Sequence, residues 1–108
     1  MITFEDFLAA GYKKYSVSCI SYADKFCQKT IRAEQADGNW KNLYFINIYL
    51  YTGKYPDAIT AEVVFYTYNK WFTVSLNEVQ KSTIYETELF FAKLYCQMDC
   101  VPDRDNND

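Results

Sequence analysis

The sequence contains no histidine among its 108 residues. This absence excludes Ser-His-Asp and Cys-His nucleophile systems and the usual histidine-containing zinc and iron sites. Glycine is scarce as well, with three residues, and neither a P-loop nor G-x-G-x-x-G nor H-E-x-x-H occurs. A loop that cradles phosphate is therefore not expected. We predict a protein that is not an enzyme, with no catalytic residue and no cofactor.

Long apolar runs and concentrated positive charge are also missing. No segment approaches the roughly 20 apolar residues of a membrane span, and the acidic start, Phe4-Glu5-Asp6, does not fit a signal peptide. The largest basic cluster is Lys13-Lys14, and the formal net charge is −3. That balance disfavours a nucleic-acid groove and is too small for a DNA mimic. We expect a cytoplasmic protein that does not bind membranes. Nucleic acid is a disfavoured partner.

The four cysteines, Cys19, Cys27, Cys96 and Cys100, lack the short C-x2-C pairs typical of zinc sites. In the cytoplasm they should be reduced. A site of four thiolates is chemically possible for zinc. Buried free thiols are the favoured interpretation, because free cysteine is among the most buried residue types. We therefore predict no metal site.

Aromatic residues are abundant at 19%, and 11 of them are tyrosines. Half of all residues are hydrophobic, which is enough to bury one core in a chain of this length. The composition predicts a single α+β domain over residues 1–100. A polar C-terminal tail follows over residues 101–108 and is expected to fray.

Two helices are predicted, one near each end of the chain. The first runs from Thr3, which can cap it, to about Tyr15, although Gly11 could end it earlier as a C-cap. The second runs from Ile84 to about Met98 and begins with a capping-box pattern in which Thr83 and Glu86 satisfy each other. Residues 16–25 are assigned to no element.

Four strands are predicted between the helices because apolar and polar residues alternate there with period two. Turn signals separate them, including Asp37-Gly38 and Asn69-Lys70. Short links favour an antiparallel meander in the order α-β-β-β-β-α, with both helices on one face. The strands are Cys27–Glu34, Leu43–Tyr51, Ile59–Tyr68 and Trp71–Leu76.

The same alternation sorts the side chains of the sheet into two faces. One face is uniformly apolar and belongs under the helices: Ile31, Ala33, Tyr44, Ile46, Ile48, Leu50, Ala61, Val63, Phe65, Phe72, Val74 and Leu76. The other face mixes rings, hydroxyls and charges. Its candidate partner-binding residues are Arg32, Phe45, Asn47, Tyr49, Tyr51, Glu62, Tyr66, Tyr68 and Trp71.

This second face has three open interpretations. Tyr, Trp and Arg are enriched at interface centres, so the face fits a protein partner or a homodimer. The plainer interpretation is that cross-strand aromatic pairs only stabilise the sheet. Stacking of nucleic-acid bases on the rings is a third possibility.

Two further contacts are predicted. Glu62 and Arg32 are expected to form a surface ion pair. Phe90 and Leu94 of the second helix are a candidate dimer contact.

Short motifs spread over most of the chain carry a family resemblance: Phe4-Glu5-Asp6-Phe7-Leu8, Gly11-Tyr12-Lys13, Gln28-Lys29-Thr30-Ile31-Arg32, Tyr44-Phe45-Ile46-Asn47-Ile48, Phe72-Thr73-Val74, Phe90-Phe91 and Met98-Asp99-Cys100. Together they resemble small accessory proteins of tailed bacteriophages. The resemblance assigns no functional residue. It implies an inhibitor or modulator of a host or defence protein, such as a restriction or CRISPR nuclease, in the host bacterial cytoplasm.

Residues and resemblance together predict a non-catalytic protein-binding module. A structural or assembly role as a homo-oligomer is the alternative, and a single-stranded nucleic-acid binder is a further one.

Overall fold

The structure, a computed structural model, describes residues 2–17, 23–53, 57–67, 70–76, 79 and 82–100. Of residues 66, 67, 70–76 and 98–100 it describes the backbone alone. The elements are α1 (Phe4–Ala9), β1 (Lys13–Tyr15), β2 (Lys25–Glu34), β3 (Trp40–Tyr51), β4 (Ala58–Thr67), β5 (Lys70–Leu76) and α2 (Ile84–Cys100).

The strands form one antiparallel sheet in the order β1-β2-β3-β4-β5. This confirms the predicted α+β class, with a meander between an N-terminal and a C-terminal helix. The four predicted strands correspond to β2 through β5 within a few residues at their ends. The short strand β1 was not predicted and adds a fifth strand at one edge of the sheet.

Helix α1 ends at Ala9, close to the early end that Gly11 offered, and it does not extend to about Tyr15. Thr3 caps it as expected, and the Asp6 side chain accepts a hydrogen bond of 2.8 Å from the Thr3 backbone N–H in return. Gly11 then has a φ of 98°, which favours glycine over residues with a side chain. The chain turns there, and the following residues pair with β2 instead of continuing the helix.

The core lies between the sheet and the two helices. Phe4 and Phe7 of α1 and Phe91 of α2 are almost fully buried against the predicted apolar face. That face is confirmed for the buried residues Tyr44, Ile46, Ile48, Leu50, Ala61, Val63 and Phe65, and Ile31 and Ala33 are half-buried. Register places Phe72, Val74 and Leu76 on the same face, with side chains outside the described part.

A β-bulge near one end of β3 changes which side chains share a face. Ile31 pairs with Tyr44, whereas the next residue, Arg32, pairs with Asn42. Leu43 is therefore the extra residue, and it packs against the core. Before the bulge the alternation of β3 is reversed, so Trp40 lies on the face opposite the helices.

Part of the unassigned segment 16–25 is now placed. Lys25 begins β2, and the Asp24 backbone N–H donates to the Leu50 carbonyl at 2.8 Å. The Asp24 carboxylate accepts a hydrogen bond from the Thr52 N–H, which lowers the pKa of Asp24. Residues 18–22 and the predicted tail 101–108 lie outside the described residues. In the part of the chain that is described, no helix combines the length and apolarity needed to cross a membrane.

Candidate interaction face on the open side of the sheet

The face of the sheet opposite α1 and α2 is called the open face here. Strand register brings together on it residues from all five strands. Its described side chains include Lys13, Tyr15, Phe26, Gln28, Arg32, Glu34, Trp40, Phe45, Asn47, Tyr49 and Glu62. They form an aromatic row, a polar row and a separate contact near the hairpin turn.

The aromatic row crosses three neighbouring strands. Tyr15 pairs with Phe26, and Phe26 pairs with Tyr49, so the three rings lie side by side. Ring centroids are 6.0 Å apart between Tyr15 and Phe26 and 5.1 Å apart between Phe26 and Tyr49, where the rings stack. The Lys13 ammonium lies 5.6 Å from the Tyr15 centroid. Tyr15 remains 42% exposed at the sheet edge, whereas Phe26 and Tyr49 are half-buried.

The polar row lies next to the aromatic row and is connected by hydrogen bonds. The Gln28 Nε2 donates to the Asn47 Oδ1 at 2.8 Å, and the Asn47 Nδ2 donates to the Glu62 Oε1 at 3.0 Å. The Tyr49 hydroxyl also donates to the Glu62 Oε1, at 3.2 Å. Burial and the Glu62 charge raise the pKa of Tyr49 to about 12, so this hydroxyl stays a donor. The row fixes the Glu62 carboxylate in place.

A third contact joins Arg32 and Trp40 near the β2–β3 turn. The Arg32 guanidinium carbon lies 5.8 Å from the centroid of the Trp40 ring, within cation–π range. Trp40 is 57% exposed.

The expected ion pair between Arg32 and Glu62 does not form. Glu62 accepts hydrogen bonds from Asn47 and Tyr49. Arg32 pairs with Asn42 and Glu62 pairs with Asn47, so the two charged residues occupy different rows of the sheet. The expected Arg32–Glu62 ion pair is therefore wrong.

Comparisons with protein-family models, curated proteins and solved structures found no match.

The predicted partner-binding residues are placed unevenly. Arg32 is exposed, whereas Phe45, Tyr49, Tyr51 and Glu62 are half-buried on the open face, and Asn47 is 6% exposed. Three further predicted residues are not described at side-chain level. The Tyr66 and Trp71 backbones pair across β4 and β5, whereas their side chains and all of Tyr68 lie outside the described part.

Six of the open-face side chains named above were not among the predicted partner-binding residues: Lys13, Tyr15, Phe26, Gln28, Glu34 and Trp40. Phe26 has the same parity as Gln28, so extending the alternation backwards by two residues would have found it. The three residues of β1 carry no periodic signal, because a strand that short shows no alternation. Trp40 needed the bulge at Leu43, which only the pairing with β2 reveals.

The candidate dimer contact on α2 is only partly exposed. Phe90 is 41% exposed and contacts Phe91 edge-on, with centroids 5.4 Å apart. Leu94 packs against the core instead. Phe90 and Leu94 lie one turn apart on α2 and differ in exposure, and the dimer contact stays a prediction.

A charged cluster on the helix-covered face was not predicted either. The Glu88 Oε2 accepts hydrogen bonds of 3.0 Å from the Tyr12 hydroxyl and 3.0 Å from the Lys29 Nζ. Lys29 also donates to the Ala10 carbonyl at 3.4 Å and lies 5.4 Å from the Tyr12 centroid. Burial and the Glu88 charge raise the pKa of Tyr12, so its hydroxyl stays protonated. The cluster joins the turn after α1, β2 and α2.

Glu86 and Glu88 of α2 have separate roles. Glu86 accepts a 3.0 Å hydrogen bond from the Thr83 hydroxyl, while the Glu86 N–H donates to that same hydroxyl oxygen at 3.0 Å. Glu88 instead belongs to the cluster with Lys29. The two acids therefore do not form a shared carboxylate pair.

Cys27 and Cys96, the two cysteines with described side chains, lie in different environments. Cys27 is fully buried in the core, and burial raises its pKa to about 12, whereas Cys96 is exposed on α2. Cys19 and the side chain of Cys100 lie outside the described part. Within the described residues, no three His, Cys, Asp or Glu side chains come together as metal ligands.

Proposed function

We propose that this chain is a non-catalytic protein-binding module that uses the open face. The observation that carries the proposal is the row of Tyr15, Phe26 and Tyr49 beside a hydrogen-bonded polar row. Aromatic rings supply much of the binding energy at protein interfaces. Rings already held by their neighbours lose little conformational freedom on binding, which favours affinity.

The charges of the open face support a protein partner over a nucleic acid. Lys13 and Arg32 are balanced by Glu34 and Glu62 on the same face. Single-stranded nucleic acid is bound where stacking rings lie in a positively charged groove, which this mixed face does not supply. A face that combines aromatic rings with charges of both signs fits a protein interface, where aromatic residues and arginine are enriched.

The test uses purified, tagged chain to capture proteins from a bacterial lysate, with mass spectrometry as the readout. The variant Tyr49→Ala removes the end of the aromatic row and the hydrogen bond to Glu62. The variant Trp40→Ala removes the ring that is most exposed among the described side chains of the face. Tyr85→Ala is the matched control, because Tyr85 is 71% exposed on α2, away from the open face.

We expect wild type and Tyr85→Ala to capture the same proteins, and both face variants to lose them while keeping a native circular-dichroism spectrum. Equal capture by all four chains would remove the open face from the proposal.

For the identity of the partner, we propose a host or defence-system protein, such as a restriction or CRISPR nuclease. Support comes from the resemblance of its short motifs to small accessory proteins of tailed bacteriophages. The chain would then act in the host bacterial cytoplasm. Phage plating on bacteria that carry such a defence system tests this directly. Expression of wild type, but not of Tyr49→Ala, should restore plaque formation, and no restoration in any system contradicts the proposed partner class.

A further inference from the structure

Among the described residues, no strand pairs with the outer edge of β2 over about half of its length. β1 pairs with β2 at Phe26, Cys27 and Gln28 only. From Lys29 to Glu34, no strand among the described residues pairs with this edge, which ends at the hairpin turn of residues 35–39. Thr30, Arg32 and Glu34 are exposed along it. An unpaired edge of this kind offers its backbone to another strand.

The direction of the backbone groups follows from the hairpin. The Gln35 N–H donates to the Asn39 carbonyl at 2.8 Å and therefore points towards β3. Along an antiparallel strand the N–H and C=O groups point alternately to either side. The extra residue of the bulge belongs to β3, so β2 keeps its regular alternation. Arg32 and Glu34 thus direct their backbone N–H and C=O groups outward, away from the sheet.

We propose that two copies of this chain pair antiparallel along this edge, about a two-fold axis at Ala33. In that register Arg32 of each copy lies opposite Glu34 of the other, and both residues have outward backbone groups. The backbone hydrogen bonds and two symmetric ion pairs then form together, and the two sheets become continuous. The inference does not depend on the proposed function of the open face.

The charges select this register from its neighbours. Outward backbone groups also meet when the axis passes through Arg32 or Glu34, but each of those registers places two like charges directly opposite one another. Like charges in cross-strand positions are destabilising, whereas opposite charges are stabilising. Charged residues commonly guard a free edge against pairing. Here the opposite signs at positions two apart make the edge complementary to itself, as a two-fold interface requires.

Sedimentation equilibrium over a wide range of chain concentrations tests the proposal. Wild type should show a reversible monomer–dimer equilibrium that weakens as salt screens the ion pairs. Arg32→Glu and Glu34→Arg each place like charges opposite one another twice per dimer, and each should raise the dimer dissociation constant by about tenfold or more. The double variant Arg32→Glu/Glu34→Arg exchanges the charges, restores both ion pairs and should recover dimerisation.

Lys41→Glu is the matched control, because Lys41 is an exposed charge on β3 that pairs with Ala33 but lies away from the free edge. It should dimerise like wild type. A wild type that stays monomeric at millimolar concentration overturns the proposal. So does a dimer that the single reversals leave intact, or a natively folded double variant that fails to recover. Tyr49→Ala should dimerise normally, which keeps this result separate from the test of the open face.

Discussion

Asn47 lies in the middle of the polar row on the open face, between Gln28 and Glu62. Its amide donates to Glu62 and accepts from Gln28, and it is 6% exposed. Among the candidate partner-binding residues it is therefore a positioning residue, which holds the Glu62 carboxylate in place.

Replacing Asn47 with alanine should lower the free energy of unfolding by about 1–3 kcal/mol, because partners of a buried polar group are left unsatisfied. Urea denaturation followed by circular dichroism measures the change. Asn42→Ala is the control, because Asn42 is an exposed asparagine of the same strand and face. A loss at Asn42 as large as that at Asn47 would contradict the role given to the polar row.

The buried thiol of Cys27 predicts a loss of stability in base. Burial raises its pKa from 9.0 to about 12. Below pH 9 the thiol is protonated in both states. Between pH 9 and 12 the unfolded chain releases this proton and the folded chain does not, so the free energy of unfolding falls as pH rises. The slope from this group is about 1.4 kcal/mol per pH unit.

Denaturant titrations at several pH values from 8 upward, all under reducing conditions, measure that slope. Cys27→Ala should flatten it, although its absolute stability also changes. Cys96→Ala, at an exposed cysteine, should keep the wild-type slope. Equal slopes in wild type and Cys27→Ala would show that the thiol does not titrate as its burial requires.

At the scale of elements, α1 is a single short helix that depends on its cap and its buried rings. It has six residues, fewer than an isolated helix needs to persist in water. The Thr3–Asp6 capping box supplies hydrogen bonds at its start, and Phe4 and Phe7 anchor it to the core.

Thr3→Ala should destabilise the protein by about 1 kcal/mol, because it removes the side-chain acceptor for the Asp6 N–H. The shift in the urea midpoint is the measurement. Thr3→Ser keeps a hydroxyl at the cap and should stay within a few tenths of a kcal/mol of wild type. If serine and alanine behave alike, the cap is not what stabilises α1.

The predicted strands were readable from sequence because alternation of apolar and polar residues is a local property. Tyr44, Ile46 and Ile48 alternate with Phe45 and Asn47, and the structure keeps that order. The first helix was predicted too long because its apolar spacing continues past Gly11. Gly11, the earlier C-cap that the sequence also offered, has a positive φ, and the residues after it pair with β2, so the helix ends at Ala9.

At the scale of the whole molecule, the Tyr12–Lys29–Glu88 cluster joins the sheet to α2 and to the turn after α1. Lys29 and Glu88 are 3.0 Å apart, and their side chains are 32% and 28% exposed. The exposed pair Lys25–Glu5, at 3.8 Å, also joins α1 to the sheet but stays in solvent.

Glu88→Ala should lower the free energy of unfolding by about 1–3 kcal/mol, since Tyr12 and Lys29 both lose their acceptor in a part-buried site. Glu5→Ala is the matched removal of an exposed acid and should change stability by less than about 1 kcal/mol. Thermal unfolding of both variants beside wild type gives the comparison. A larger loss at Glu5 would show that the cluster does not join the layers.

The sequence by itself determined the fold class, the two faces of the central strands and the caps of both helices, because each depends on residues close together in the chain. Tertiary structure decided the composition of the open face and of the Glu88 cluster. A bulge places Trp40 on the open face, and pairing of β2 with β3 places Phe26 beside Tyr49. Lys29 contacts Glu88, which is 59 residues away in the chain. Such contacts depend on strand register and helix docking, which no local pattern encodes.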